Sequence, residues 1–123
     1  MSRPLVLVVD DDPDILDAVC DILEGEGYRV DRARHGLEAL ERVAAERPDL
    51  VLLDLMMPVM DGVGFARTLR ERGEPAIPTV VISADGNPLR AKAVEAQGFL
   101  AKPFDIDSVL GVVARHLGRP GAP

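Results

Sequence analysis

Polar side chains that could do chemistry follow four apolar runs, each at the point where the run ends. They are Asp10 and Asp11, Asp54, Ser83 and Lys102. Neighbouring carboxylates repel one another unless a cation lies between them, and carboxylate oxygens are the ligands that Mg²⁺ prefers. A bound cation attracts phosphate, an ammonium adds a second positive charge, and a hydroxyl can donate to a phosphoryl oxygen. The set therefore predicts phosphoryl-transfer chemistry, which depends mostly on positioning and charge neutralisation.

Asp54 is the carboxylate best placed to react, because it ends the apolar run Val51-Leu52-Leu53. A carboxylate held beside a metal ion can attack phosphorus and form an aspartyl phosphate. Taken alone, an Asp that ends a strand and starts a turn is an equally good interpretation, and the other strand ends decide between them. The sequence has no GxxxxGK[ST] phosphate loop, so we do not expect a nucleotide held by this chain to be the phosphoryl donor.

The elements that must position these residues alternate along the chain. Four apolar runs, over about residues 5–9, 51–53, 78–82 and 99–101, and one short alternating segment over residues 28–32, which suits an edge strand, are each followed by a segment with helical periodicity. This (βα)₅ order predicts an α/β fold with a parallel sheet, right-handed crossovers and helices on both faces. The carboxyl ends of the strands then meet at one edge, where such sheets bind ligands.

Helix caps and stripes complete the predicted elements. Asp12 before Pro13 is typical of a helix N-cap, which leaves Asp10 and Asp11 for the site, and Asp105 is predicted to cap the last helix. The second helix is expected to bury Leu37, Leu40, Val43 and Ala44, and the last helix a stripe that begins at Ile106. Cys20 is interpreted as a small core residue, and His35 and His116 as surface or capping residues.

Composition limits the class of protein. The chain has 123 residues, of which 47% are hydrophobic, as expected for one folded domain. A net charge of −7 argues against direct binding to nucleic acid or to an anionic membrane. With a single cysteine the chain cannot form an internal disulfide, and it has neither a membrane-length apolar stretch nor a signal-peptide pattern. We therefore expect a cytoplasmic protein.

Four motifs resemble the response regulator receiver domains of two-component signalling. They are Val8-Val9-Asp10-Asp11-Asp12, Asp54-Leu55-Met56-Met57-Pro58-Val59-Met60-Asp61-Gly62, Ile82-Ser83-Ala84 and Lys102-Pro103-Phe104. Each motif is weak alone, but their order on a (βα)₅ frame is specific, and the resemblance covers essentially the whole chain. It implies a flavodoxin-like sheet of strand order 2-1-3-4-5, with a receiver domain over residues 3–118 and a short flexible tail over residues 119–123.

The resemblance also implies a role for each acidic residue. Asp54 is expected to accept a phosphoryl group from a sensor histidine kinase or a phosphotransfer protein. Asp11 is the expected direct ligand of Mg²⁺ (or Mn²⁺), Asp10 a ligand through water, and the backbone carbonyl of Met56 a further ligand. Met56 and Asp85 occupy positions that tune the lifetime of the phosphoryl group, and Met56 predicts a longer lifetime than a polar residue would give.

The implied switch involves residues at the other strand ends. Ser83, with Ala84 beside it, is expected to move toward the phosphoryl group, and Lys102 is expected to contact that group. Phe99 is expected to fill the space that Ser83 and its loop leave. The family usually has a cis peptide before the proline that corresponds to Pro103. Such a domain is a phosphoacceptor for signalling rather than an enzyme, and it controls a downstream protein or effector domain that the sequence does not identify.

Alternatives remain open at the level of sequence. The segment between Ser83 and Lys102 is shorter than is usual in the family, which puts the usual output geometry and dimer in doubt and leaves room for a pseudo-receiver that signals without phosphate. A phosphatase of the haloacid-dehalogenase type would need Asp10 and Asp12 free, and a flavin site would not suit the acidic first loop. The chain is expected to be either a stand-alone receiver or part of a longer regulator.

Overall fold

Strands and helices alternate along the chain in the computed structural model, which describes residues 3–54, 62–71, 77–83, 89, 96–102 and 104–118. The described elements are β1 (Leu5–Val9), α1 (Pro13–Gly25), β2 (Arg29–Ala33), α2 (Gly36–Ala45), β3 (Leu50–Asp54), α3 (Gly62–Glu71), β4 (Thr79–Ser83), β5 (Gly98–Ala101) and α4 (Ile106–Leu117). The predicted alternation is confirmed for every connection except the one between β4 and β5, where the structure describes no element. Most of the segment predicted as a further helix before β5, and the tail over residues 119–123, lie outside the described residues.

The five strands form one parallel sheet in the order β2-β1-β3-β4-β5, as predicted for a flavodoxin-like fold. The register pairs Val9 with Leu53, Asp54 with Ile82, and Ser83 with Ala101. The carboxyl ends of the central strands are therefore level with one another. This alignment brings the polar residues that end the strands to one edge of the sheet.

Both faces of the sheet are buried. One face, with Leu7, Leu53 and Val81, packs with Phe65 of α3 and with the inner side of α2. The other face, which includes Val8 and Leu52, packs against α1 and α4. Burial on both faces explains why the central strands are continuous apolar runs rather than alternating ones.

Three predicted core positions are wrong. In α2 the buried stripe is Gly36, Ala39, Leu40 and Val43, whereas Leu37 is 45% exposed and Ala44 is also exposed. Leu37 lies one position beyond Gly36, which turns it about 100° away from the buried stripe. Ile106 is 57% exposed and occupies the first position of α4.

The helix starts confirm the predicted caps. One carboxylate oxygen of Asp12 accepts the backbone N–H groups of Asp14 and Ile15, and Pro13 follows as the first helical residue. Asp105 caps α4 by accepting the N–H of Ser108 at 2.7 Å. These side chains satisfy amide groups that the first turn of a helix leaves without partners.

Hydrogen bonds at the amino edge of the sheet connect residues that are far apart in the sequence. The backbone N–H of Leu5 donates to Oδ2 of Asp49 at 2.8 Å, and the N–H of Asp49 donates back to the carbonyl of Leu5. The buried Tyr28 donates its hydroxyl to the carbonyl of Gly118 at 2.6 Å, across 90 residues of sequence. These hydrogen bonds connect the start of β1 to the segment before β3, and the end of α4 to the residue before β2.

None of the helices in the described part of the chain combines the length and the apolar character that crossing a membrane would require. The outer strand β2 carries charged side chains that pair with neighbouring helices, through Arg29 with Glu46 and Arg32 with Asp17. Charges on an edge strand disfavour pairing with a strand from another molecule.

Candidate functional site

The carboxyl edge of the sheet brings together the three acids that the sequence singles out. Asp10 follows β1 directly and Asp54 ends β3, and both are buried, while Asp11 is exposed. Asp10, Asp11 and Asp54 each offer a carboxylate oxygen that lies within 4.8 Å of the other two. The predicted grouping of these three residues is therefore present in the fold.

Hydrogen bonds fix the orientation of Asp10. Its backbone N–H donates to the carbonyl of Ala33 at 3.1 Å, which extends the pairing between β1 and β2 by one residue. Its Oδ1 accepts the backbone N–H of Asp12 at 2.9 Å. Its Oδ2 is buried and receives no hydrogen bond of good geometry within the described part of the chain, although Lys102 Nζ lies 3.1 Å away.

Lys102 contacts two of the three acids, Asp10 and Asp54. Its Nζ lies 3.1 Å from Oδ2 of Asp10 and 3.3 Å from Oδ2 of Asp54, and its backbone N–H donates to the carbonyl of Ser83 at 2.9 Å. Burial acts to lower the pKa of Lys102, but its close contact with Asp10 and the negative charges of Asp10 and Asp54 outweigh that effect. The pKa of Lys102 therefore lies above its ordinary value, and the side chain is an ammonium ion.

The donor set fits a hard divalent cation. Among the described residues, the cluster brings three carboxylates close to one ammonium. Oxygen ligands of this kind suit Mg²⁺ or Mn²⁺, and the buried Oδ2 of Asp10 has unused capacity to accept. Asp10, Asp11 and Asp54 are the described residues that could hold such an ion.

Ser83 and Phe99 lie on neighbouring strands at the same edge of the sheet. Ser83 ends β4 and is buried, opposite Ala101 of β5, and Phe99 is paired with Val81 two residues earlier. Because alternate residues of a strand face the same side, Ser83 and Phe99 share one face of the sheet. Phe99 is partly buried against the core on that face.

Four of the predicted site residues, Met56, Ala84, Asp85 and Pro103, lie outside the described residues. Their roles as metal ligand, switch neighbour, lifetime-tuning residue and cis proline stay predictions. The described positions of the site are Asp10, Asp11, Asp54, Ser83, Phe99 and Lys102.

A groove beside Lys102 was not anticipated from the sequence. It has a volume of about 980 Å³ and is lined by apolar side chains of α1 and of the segment that leads into α4: Ile15, Ala18, Val19, Ile22, Phe104 and Ile106. Acidic residues line it as well, namely Asp14, Asp105 and Asp107. The helical pattern placed Ile106 in the core, whereas the structure leaves it exposed in the lining of this groove.

Comparison with known proteins gives a consistent result. The family model described as the response regulator receiver domain matches residues 6–114. The chain is 39% identical over 117 residues to "Response regulator MprA" of Mycobacterium ulcerans, and 36% identical over 120 residues to "DNA-binding transcriptional regulator NtrC" of Escherichia coli. The structure of the Vibrio cholerae chemotaxis protein CheY4 is similar, with a TM-score of 0.88 at 33% sequence identity.

The extent of these matches differs. The alignment with CheY4 covers 94% of this chain and 100% of CheY4. The alignments with MprA and NtrC cover 93% and 95% of this chain but only 50% and 25% of those two proteins. The chain therefore spans about half of one curated relative and a quarter of the other.

Proposed function

The chain belongs to the response regulator receiver domain family of two-component signalling, and on this basis we propose that Asp54 is its phosphoacceptor. The observation that carries the proposal is the buried carboxylate of Asp54 at the end of β3, with Lys102 Nζ 3.3 Å away and acidic oxygens of Asp10 and Asp11 within 4.8 Å. A reacting carboxylate, a cation-binding cluster and a fixed ammonium are the parts that phosphoryl transfer needs.

In the proposed reaction, a carboxylate oxygen of Asp54 attacks the phosphorus of a phosphohistidine on the donor protein. A new O–P bond forms as the P–N bond breaks, and the electron pair of that bond returns to the imidazole, which then takes up a proton. Asp11 and Asp54 directly, Asp10 through water and the backbone carbonyl of Met56 would hold Mg²⁺ or Mn²⁺, which would supply positive charge to the phosphoryl oxygens when bound. Lys102 supplies a second positive charge to the same group.

The proposed switch follows from the charge that the phosphoryl group adds. Ser83, next to Ala84, would donate its hydroxyl to a phosphoryl oxygen, and Phe99 would repack on the same face of the sheet. The peptide before Pro103 and the side chains of Met56 and Asp85 belong to this proposal as the cis peptide and the lifetime-tuning residues. The partly buried position of Phe99 supports it, because a half-packed aromatic ring has room for a second rotamer.

The groove between α1 and α4 is the proposed docking surface for the phosphoryl donor, a sensor histidine kinase or phosphotransfer protein. It adjoins Lys102, so a helix lying in it would bring a phosphohistidine close to Asp54. Its apolar lining with acidic residues favours a partner helix whose apolar stripe is flanked by Lys and Arg. The same net charge of −7 argues against direct contact with nucleic acid or an anionic membrane.

As a signalling domain, the chain is proposed to work in the cytoplasm and to control a downstream protein or effector domain, with residues 3–118 as the receiver and 119–123 as a short tail. The use of Asp12 as a helix cap argues against the phosphatase alternative, which needs that carboxylate in the site. A pseudo-receiver remains the alternative that the following test addresses.

The test is intact mass spectrometry after incubation with acetyl phosphate and Mg²⁺. We expect the parent to gain the mass of one phosphoryl group and to gain nothing in excess EDTA. Asp54→Asn should gain nothing, whereas Glu41→Gln, which removes an exposed acid of α2 outside the cluster and the groove, should behave like the parent. A parent that gains no mass from acetyl phosphate or from a phosphorylated histidine protein would overturn the assignment and leave the pseudo-receiver.

A further inference from the structure

Two unusual features meet at the peptide group of Gly118, which directly follows α4. The hydroxyl of Tyr28 donates to the carbonyl of Gly118 at 2.6 Å, and the backbone of Gly118 has φ 71° and ψ 178°. We propose that Tyr28 and Gly118 form an exit joint, which fixes the direction in which the chain leaves the receiver. The joint does not depend on phosphoryl acceptance at Asp54 and is a further property of the fold.

The backbone conformation of Gly118 is one that almost only glycine adopts. Apart from its two chain neighbours, no heavy atom of the described residues lies within 4 Å of the place where a Cβ would stand. Glycine is therefore required by the conformation and not by lack of space. Such a rare conformation persists only where neighbouring contacts determine it, and the hydrogen bond from Tyr28 is a contact of this kind.

The hydroxyl of Tyr28 is itself held in place. The residue is 4% exposed, and it belongs to the same core cluster as Val112 and Val113 of α4. Its backbone N–H donates to the carbonyl of Leu23 at 3.1 Å. Because the ring and the backbone are both held, the hydroxyl gives the carbonyl of Gly118 a fixed partner on the sheet.

The helix α4 connects this joint with the opposite edge of the sheet. Asp105 caps the start of α4 and lines the groove beside Lys102, while the N–H of Gly118 donates to the carbonyl of Ala114 at 2.8 Å at its end. In relatives such as MprA and NtrC, of which the chain spans only a part, a receiver is joined to further chain. A fixed joint would determine where residues beyond 118 can reach.

Two substitutions should release the joint through different atoms. Tyr28→Phe removes the donor and keeps the ring, whereas Gly118→Ala adds a Cβ that disfavours the required φ and ψ. Because Gly118 is exposed, water can replace the hydroxyl, and we expect the ratio of released to held joint to rise about fivefold in Tyr28→Phe. The double variant should differ little from the more released single variant, because a peptide that has left this conformation has already lost the hydrogen bond.

The experiment measures the distance between two spin labels on the full chain by pulsed electron paramagnetic resonance. One label is attached to Arg119→Cys, directly after the joint, and the other to Glu41→Cys on the exposed side of α2. Cys20 stays unlabelled, because it is fully buried and burial raises the pKa of its thiol to about 11. The parent should give a narrow distance distribution, and Tyr28→Phe and Gly118→Ala should each add a broad component.

Asp12→Ala is the matched control, because it removes a cap of α1 that contributes about as much stability as one hydrogen bond and leaves the joint intact. Its distance distribution should equal that of the parent. A broad distribution in the parent, a narrow one in Tyr28→Phe, or equal broadening in the control would each overturn the inference. Should Tyr28→Phe not fold, Gly118→Ala decides by the same criterion, and phosphoryl acceptance is tested separately by the mass measurement.

Discussion

Tyr28 is predicted to help fix the end of α4 to the sheet through the hydrogen bond of its hydroxyl to Gly118, which Tyr28→Phe removes without changing the ring. The hydroxyl donates to the carbonyl of Gly118 at 2.6 Å, and Tyr28 is only 4% exposed. Gly118 itself is exposed, so its carbonyl can bind water once the hydroxyl is gone. We therefore expect the free energy of unfolding to fall by about 1 kcal/mol, the usual net contribution of a hydrogen bond. The larger cost of a buried acceptor without a hydrogen bond does not apply.

For a domain of this size, such a loss lowers the melting temperature by about 4 °C. Tyr28→Ala also removes the ring from the core and should cost about 3–5 kcal/mol. Because the chain has one Tyr and no Trp, urea unfolding must be followed by far-ultraviolet circular dichroism rather than by intrinsic fluorescence. Equal stability of Tyr28→Phe and the parent, or equal losses for the two variants, would refute the reasoning.

Two further predictions concern the first helix. Asp12→Ala should lower the free energy of unfolding by about 1 kcal/mol in urea titrations, because the N–H groups of Asp14 and Ile15 lose their cap. Asp12→Asn should keep most of the stability of the parent, because Asn is also a good N-cap residue. Burial raises the pKa of Cys20 from 9.0 to about 11, so the folded state disfavours the thiolate and stability should fall as the pH rises from about 9 to 11. Cys20→Ala should lose this component of the pH dependence, and an identical alkaline profile in that variant would contradict the assignment.

The positions of the acidic residues could be predicted because the topology of a parallel sheet fixes them. Asp10 and Asp54 follow apolar runs, and such runs end at the same edge when helices connect parallel strands. The ion pair between Lys102 and Asp10 could not be predicted in this way, because it depends on a side-chain rotamer and on which oxygen of Asp10 the N–H of Asp12 has already used. Spacing in the sequence carries no information about either.

The errors in the predicted core have a related origin. Helical periodicity identifies an apolar stripe, but it does not say where the stripe stops facing the sheet. Leu37 and Ile106 both lie in the first turn of a helix. A rotation of one residue about the helix axis there is enough to move a side chain from the core to the surface, and both side chains are exposed. Ile106 lines the groove beside Lys102, so the error at this position and the missed surface concern the same side chain.

The two edges of the sheet make different contacts, and we therefore expect stability to be adjustable independently of the proposed phosphoryl acceptance. The carboxyl edge keeps Asp10 and Asp54 buried beside one ammonium, an arrangement that is weak evidence for stability. The amino edge has the compensating ties, through Tyr28 with Gly118 and Asp49 with Leu5. If the ties act only on stability, Tyr28→Phe should melt earlier yet accept a phosphoryl group at Asp54 as fast as the parent below its melting range. A slower reaction in that variant would mean that the two edges are mechanically coupled through the sheet.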